Sequence, residues 1–228
     1  MALEVKICGL STPAALDAAV AAGARLVGFV FYPPSPRALL PAGAAALARR
    51  VPADVLRVGL VVDADDATLD IILSTVPLDL LQLHGRETPD RVAAIRASFG
   101  LPVIKAVAVE QAGDLSAAEC YATVADRLLF DARPPQGAIL PGGNARSFDW
   151  RLLAGRSWPR PWLLAGGLHT DNLAEAVRLS GTTAVDVSSG VEDAPGRKNA
   201  GLIRAFLAEA GRIEAASPVA SGSRAAYM

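Results

Sequence analysis

The side chains with the most chemistry in them stand where apolar runs end. Glu4-Val5-Lys6-Ile7-Cys8-Gly9 finishes in a thiol and a glycine, and the glycine frees the backbone to turn. A free cysteine most often packs as a small hydrophobe, so Cys8 by itself leaves packing and chemistry both open. Other run ends carry Arg37, Gln82 with His84, Asp131 with Arg133, Gly166-Gly167, and Ser188-Ser189-Gly190. A guanidinium such as Arg37 can grip a carboxylate through two parallel bonds. Glycine pairs and small hydroxyl residues let backbone N–H groups crowd an anion, and a helix N-terminus behind them adds positive charge.

These residues converge only if their elements are alike. Short apolar runs alternate with helical patterns along nearly the whole chain. Strands are expected near 4–8, 25–31, 55–62, 78–83, 101–107, 127–130, 161–165 and 183–187. Ser11-Thr12-Pro13 caps the first helix and Gly23 stops it; Pro41 and Thr88-Pro89 open others. A weaker helix falls between Gln111 and Val124, a short one near Phe148 to Ala154, and the last runs from Lys198 to Ala210. Arg57-Val58-Gly59-Leu60-Val61-Val62 is mostly apolar on both faces, as a strand covered on both sides must be. Eight strand–helix units, with no GxGxxG after the first strand, predict an α/β chain folded as a single-domain (β/α)8 TIM barrel. The barrel is expected over residues 1–211, with 212–228 as a disordered tail lacking periodicity. In such a barrel the active site lies at the C-terminal strand ends, and the loops after strands seven and eight commonly hold phosphate.

Composition narrows the classes. The chain has 228 residues, a net charge of −1 with both signs interspersed, and two lone cysteines. Such a balance lacks the basic stripe of a nucleic-acid surface. No apolar run approaches a membrane span, and the first residues do not form a signal peptide. Cys8 and Cys120 make neither a disulfide framework nor a metal cluster, so a reduced cytoplasmic protein is expected. With only His84 and His169 present, a histidine-rich metal site is excluded by count.

Taken together, the motifs resemble one family. Lys6-Ile7-Cys8-Gly9, Gly28-Phe29-Val30-Phe31-Tyr32-Pro33 with Ser35-Pro36-Arg37, and Leu81-Gln82-Leu83-His84-Gly85 are similar to the signature of the phosphoribosylanthranilate isomerases. So are Leu129-Phe130-Asp131, Pro141-Gly142-Gly143, Phe148-Asp149-Trp150, Ala165-Gly166-Gly167-Leu168, and Asp186-Val187-Ser188-Ser189-Gly190-Val191-Glu192 with Pro195-Gly196 and Lys198. They occur in the family's order over roughly residues 3 to 210. The resemblance implies an Amadori rearrangement in tryptophan biosynthesis, without metal or organic cofactor. It implies Cys8 as general base and Asp131 as general acid. Arg37 would hold the substrate carboxylate, and Gly166, Gly167, Ser188, Ser189 and Gly190 the phosphate. The implied partner is a small phosphoribosyl molecule, with no nucleic acid and no membrane, on a monomer or homodimer.

Strand alternation puts Lys6 on the same face as Cys8. Lys6 either favours the thiolate or pairs with Asp186, which barrel closure brings alongside. Gln82 and His84 share a face and are expected to support the site from behind, as are Lys6 and Asp186. Cys120 lies in an alanine-rich helix and is expected to pack; Arg133 reads equally as a surface residue. The main departure from the family pattern is Gly142-Gly143-Asn144-Ala145-Arg146-Ser147, where members commonly carry Gly-Gly-Thr/Ser-Gly. Alanine in place of the last glycine bears on the sixth loop, because it tolerates positive φ poorly. The competing reading is a non-catalytic phosphosugar-binding barrel, or another phosphosugar enzyme such as an indole-glycerol-phosphate synthase or a ribulose-phosphate epimerase. The non-catalytic barrel would not need the Cys8/Asp131 pair.

Overall fold

The computed structural model describes residues 2–138 and 140–213. Eight parallel strands close a barrel in chain order: β1 (Glu4–Cys8), β2 (Leu26–Val30), β3 (Leu56–Val61), β4 (Leu80–Leu83), β5 (Val103–Val109), β6 (Arg127–Ala132), β7 (Trp162–Leu164) and β8 (Ala184–Val187). Closure is by β1 against β8, in a register that sets Lys6 beside Asp186.

The helices follow where their caps announce them. Helix α1 (Pro13–Ala21) begins at Thr12, whose hydroxyl accepts from the Ala15 amide, and α2 (Pro41–Ala48) opens on its proline. Next come α3 (Asp66–Thr75) and α4 (Pro89–Phe99), the latter capped by Thr88 and stopped by Gly100 in the left-handed region. A single 3-10 turn over Ala112–Asp114 leads into α5 (Leu115–Tyr121), and α6 (Leu173–Ser180) and α7 (Ala200–Arg212) complete the ring. Among the described residues between β6 and β7 the only helical element is a 3-10 turn, Trp150–Leu153. That segment is too short to make the three turns an average helix uses.

Two boundaries near the C-terminus differ from the sequence reading. Lys198 does not start the last helix. It ends a hairpin of β9 (Glu192–Ala194) and β10 (Arg197–Lys198), turned at Pro195-Gly196, and Asn199 caps α7. At the other end Arg212, placed in the tail by sequence, is the last residue of α7. The remainder of the expected tail, 214–228, lies outside the described residues.

Two apolar regions hold the barrel. The larger fills the space between strands and helices, with Ile7, Phe29, Phe130, Leu16, Ile203 and Phe206 among its members. The smaller plugs the barrel interior at the N-terminal strand ends, from Leu26, Val58, Leu80, Ile104, Leu129 and Leu163. Inward positions one layer higher turn polar: Lys6, Gln82 and Asp186 are all buried there. A polar layer above a sealed apolar plug makes the C-terminal end the reactive one. No helix among the described residues is long and apolar enough to cross a membrane.

Candidate active site

Cys8 ends β1 inside the barrel mouth, buried against Val30 and Leu60. Lys6 stands one inward position below, its Nζ 2.9 Å from Asp186 Oδ1, with both side chains buried. The two alternatives for Lys6 are therefore one arrangement, since the same ammonium pairs with Asp186 and acts on the thiol. Burial pushes the Cys8 thiol above its ordinary value, and the neighbouring Lys6 and Lys198 charges pull the other way without cancelling it. Burial also pulls on the Lys6 ammonium, but Asp186 and Cys8 beside it hold it above its usual range. Gly28 on β2 makes the room. A Cβ there would lie 3.0 Å from Cys8 Sγ and 3.3 Å from Lys6 Nζ.

Across the mouth, β6 presents Asp131. Its Oδ1 accepts from the Ala132 amide at 2.8 Å, and its Oδ2 lies 3.2 Å from His84 Nε2. His84 is oriented from behind by Gln82, whose amide Nε2 is 3.1 Å from the ring Nδ1. With the amide so turned, Nδ1 accepts and Nε2 carries the hydrogen that faces Asp131. Gln82 is fully buried and its Oε1 has no partner among the described residues. If the amide rotated, that oxygen would accept a hydrogen bond from Nδ1–H, so ring tautomer and amide orientation are coupled.

Arg37, from the loop after β2, is also buried, and the structure gives it a companion the sequence did not suggest. Its Nε and Nη2 bind the two oxygens of Glu192 at 2.7 and 2.8 Å. Glu192 also takes Lys198 Nζ at 2.7 Å, and that ammonium donates in turn to Ser188 O and Oγ. Burial alone would raise the Glu192 carboxyl, yet Arg37 and Lys198 hold it below the usual range. For Lys198 burial wins and its ammonium is pulled down. The β9–β10 hairpin thus carries both members of the cluster and presses Gly196 against the Pro36 carbonyl beside Arg37. Arg37 cannot offer its fork to a ligand while Glu192 occupies it. What remains is Nη1, which points toward Gly143.

Cys8, Arg37, His84, Asp131, Gly166, Gly167, Ser188, Ser189 and Asp186 line one cavity at the barrel mouth. Lys6 and Gln82 lie behind its wall rather than in it, and Gly190 sits behind Ser189 in the 3-10 turn Ser189–Val191. Sequence reasoning did not anticipate the apolar side of this cavity. Val30, Tyr32, Leu60 and Val62, from the ends of β2 and β3, form a patch beside Cys8 suited to a flat aromatic ring. Alternation of inward residues along β2 and β3 was the signal that could have found it.

The sixth loop folds down on the polar centre. Gly142 lies so close to Asp131 and His84 that a Cβ would come within 2.5 Å of Asp131 Oδ2, and one on Gly143 within 2.7 Å of Arg37 Nη1. Ala145, the departure from the family pattern, adopts φ +53. An L-residue there costs about 1 kcal/mol or more, partly offset by the lower unfolded-state entropy of alanine. Ala145→Gly is therefore expected to raise stability by roughly 0.5 kcal/mol, a Tm gain of one or two degrees. A lower Tm in a thermal melt would show that this backbone is unstrained.

Cys120 corrects its expectation: it is exposed on α5, not packed. Arg133 is a surface residue paired with Asp114 and Glu110.

Comparison with known proteins follows the same lines. Residues 5–209 match the family model described as N-(5'-phosphoribosyl)anthranilate (PRA) isomerase. The protein of that name from Paramagnetospirillum magneticum is 62% identical over 207 residues, covering 91% of this chain and 96% of its own. That from Rhodospirillum centenum is 61% identical over 209 residues, covering 91% and 98%. The crystal structure of the Thermotoga maritima phosphoribosyl anthranilate isomerase superposes with a TM-score of 0.83 at 35% identity, covering 92% of this chain and all of that one. Another, in complex with reduced 1-(o-carboxyphenylamino)-1-deoxyribulose 5-phosphate, gives a TM-score of 0.79 at 33% identity, with the same coverage.

Proposed function

The chain belongs to the N-(5'-phosphoribosyl)anthranilate isomerase family, and on that premise we propose that Cys8 and Asp131 are its general base and general acid. The enzyme converts N-(5'-phosphoribosyl)anthranilate into 1-(2-carboxyphenylamino)-1-deoxyribulose 5-phosphate, an Amadori rearrangement in tryptophan biosynthesis. The observation that carries the assignment of roles is a thiol and a carboxyl facing one cavity from β1 and β6.

Ring opening begins when Asp131 gives its proton to the ribose ring oxygen. The C1–O bond breaks toward that oxygen and the anilino nitrogen's lone pair forms the iminium. The iminium acidifies the C2 hydrogen, which the Cys8 thiolate removes, and the electron pair passes through C1 to nitrogen to give the enaminol. Loss of the O2 proton and protonation at C1 complete the ketone. Both transfers are worth about 10²–10⁴-fold when the group is well placed. Hydrogen-bearing Nε2 of His84 faces the Asp131 carboxylate that the first transfer leaves, and Lys6 faces the thiolate required for the second.

Substrate recognition follows from the walls. The aromatic ring packs on Val30, Tyr32, Leu60 and Val62, with Arg37 Nη1 toward its carboxylate. Phosphate lies at the other end, against Gly166, Gly167, Ser188 and Ser189, with Gly190 behind them.

Anthranilate-fluorescence decay on freshly made substrate tests the acid. Asp131→Asn keeps the shape and cannot deliver a proton, so kcat is expected to fall by about 10²–10⁴-fold. An undiminished rate would remove Asp131 from the mechanism.

A further inference from the structure

The substrate brings a carboxylate and a phosphate, so the cavity must supply positive charge at two ends. Its buried cations are nearly all spent. Lys6 is matched by Asp186, and Arg37 with Lys198 shares Glu192, which leaves one net positive charge near Arg37. That charge serves the carboxylate. The residues that line the phosphate end, Gly166, Gly167, Ser188 and Ser189, are themselves neutral, and the Lys198 ammonium behind Ser188 is already paired with Glu192. Helix dipoles add little there, because Ser188 is followed by a three-residue 3-10 turn, and α6 starts at Leu173, several residues past Gly167.

One cation lining the cavity has no carboxylate partner among the described residues: Arg146 of the sixth loop. Its backbone lies directly on the seventh loop, where a Cβ on Gly167 would come within 2.7 Å of the Arg146 carbonyl carbon and 2.8 Å of its oxygen. The residue before it, Ala145, holds the left-handed conformation that turns the chain at this point. Backbone held in an unfavourable region by its surroundings marks places where side-chain direction is functional. Arg146 is exposed, and it lines both this cavity and the neighbouring opening beside Arg133 and Pro134.

We propose that Arg146 is a substrate-binding residue that supplies the full positive charge for the phosphate, closing the cradle from the sixth loop. The proposal rests on the phosphate end being where the preceding subsection puts it. Arg146 touches no reacting atom, so it acts on binding and on specificity for the phosphorylated substrate.

The test is steady-state kinetics on the full-length wild type, Arg146→Met and Arg146→Lys, with inorganic phosphate and anthranilate as separate competitive inhibitors. A lost charge-assisted hydrogen bond corresponds to about a 10- to 100-fold change in binding. Arg146→Met should raise KM by about that factor and change kcat less than about threefold, the signature of lost uniform binding. The inhibition constant of phosphate should rise in parallel, that of anthranilate should not, and Arg146→Lys should recover part of the loss. Unchanged KM and phosphate inhibition in Arg146→Met, with phosphate still competing in wild type, would overturn the role of Arg146 and leave the cradle standing. A wild type that phosphate does not inhibit competitively would overturn both. A selective loss of anthranilate inhibition would place Arg146 at the carboxylate end, against the proposal. An equal thermal melt of all three proteins confirms that the comparison reads binding rather than folding.

Discussion

Cys8→Ser is expected to lower kcat by about three orders of magnitude with little change in KM or Tm. Serine fills the same space beside Val30 and Leu60 and can still face Lys6, so the packing survives. Its hydroxyl is far too weak an acid to ionise, so the base is lost. The pH profile of the Asp131→Asn variant, in which no carboxyl titrates at that position, should carry the same information. The base is the deprotonated form, so kcat/KM rises with pH as the thiol ionises. Burial, the largest influence on Cys8, moves that rise to higher pH than an ordinary thiol would give, against the opposing pull of Lys6 and Lys198. Activity should therefore still be climbing near pH 9. A profile already flat at neutral pH, or a serine variant as fast as wild type, would show that another group takes the C2 proton.

The second large effect is on stability and lies outside the catalytic cavity. Lys105 points from β5 away from the barrel interior, beneath the fourth loop, and its Nζ binds Glu87 Oε2 at 2.8 Å and the Gly85 carbonyl at 2.9 Å. Glu87 in turn accepts from the amides of Asp63 and Gly85, and both side chains are 2% exposed. Removing one partner of such a pair strands a buried charge, at a cost of about 3–5 kcal/mol. Glu87→Ala should accordingly lower Tm by roughly 10 °C. It should also reduce activity, because Gly85 follows His84 and the loop it anchors carries that imidazole toward Asp131. Lys105→Met combined with Glu87→Gln should recover most of the stability, since neither charge is then stranded. Thermal melts of the single and double variants decide this. A single variant melting with wild type would mean that Lys105 reaches water on its own.

Local signals were sufficient for the barrel and for the residues at its mouth. Thr12, Pro41, Thr88 and Gly100 mark helix ends by their own chemistry, and eight apolar runs in order leave few topologies open. The helix expected after β6 shrank to a 3-10 turn because Asp149 starts it only at Trp150 and Gly155, in the left-handed region, follows closely. What sequence could not reveal is pairing at a distance. Glu192 binds Arg37 across 155 positions, and nothing near either residue announces it. The hairpin that delivers Glu192 was equally hidden, since Glu-Asp-Ala-Pro-Gly-Arg-Lys has no strand-like alternation. Cys120 was misplaced for a different reason. In a short, alanine-rich helix both faces look alike, so periodicity cannot tell the inner from the outer one.

The Lys6–Asp186 contact has a consequence for how the protein is made. The two residues are 180 positions apart, and the first of them leaves the ribosome long before the second. Until β8 is translated, β1 has only one neighbouring strand and a lysine with no counter-charge inside the nascent barrel. A chain broken off before residue 186 therefore retains a strand that it cannot bury without stranding that charge. The last strand to be synthesised is the one that lets the first be enclosed, so incomplete copies stay open to proteolysis while finished ones close.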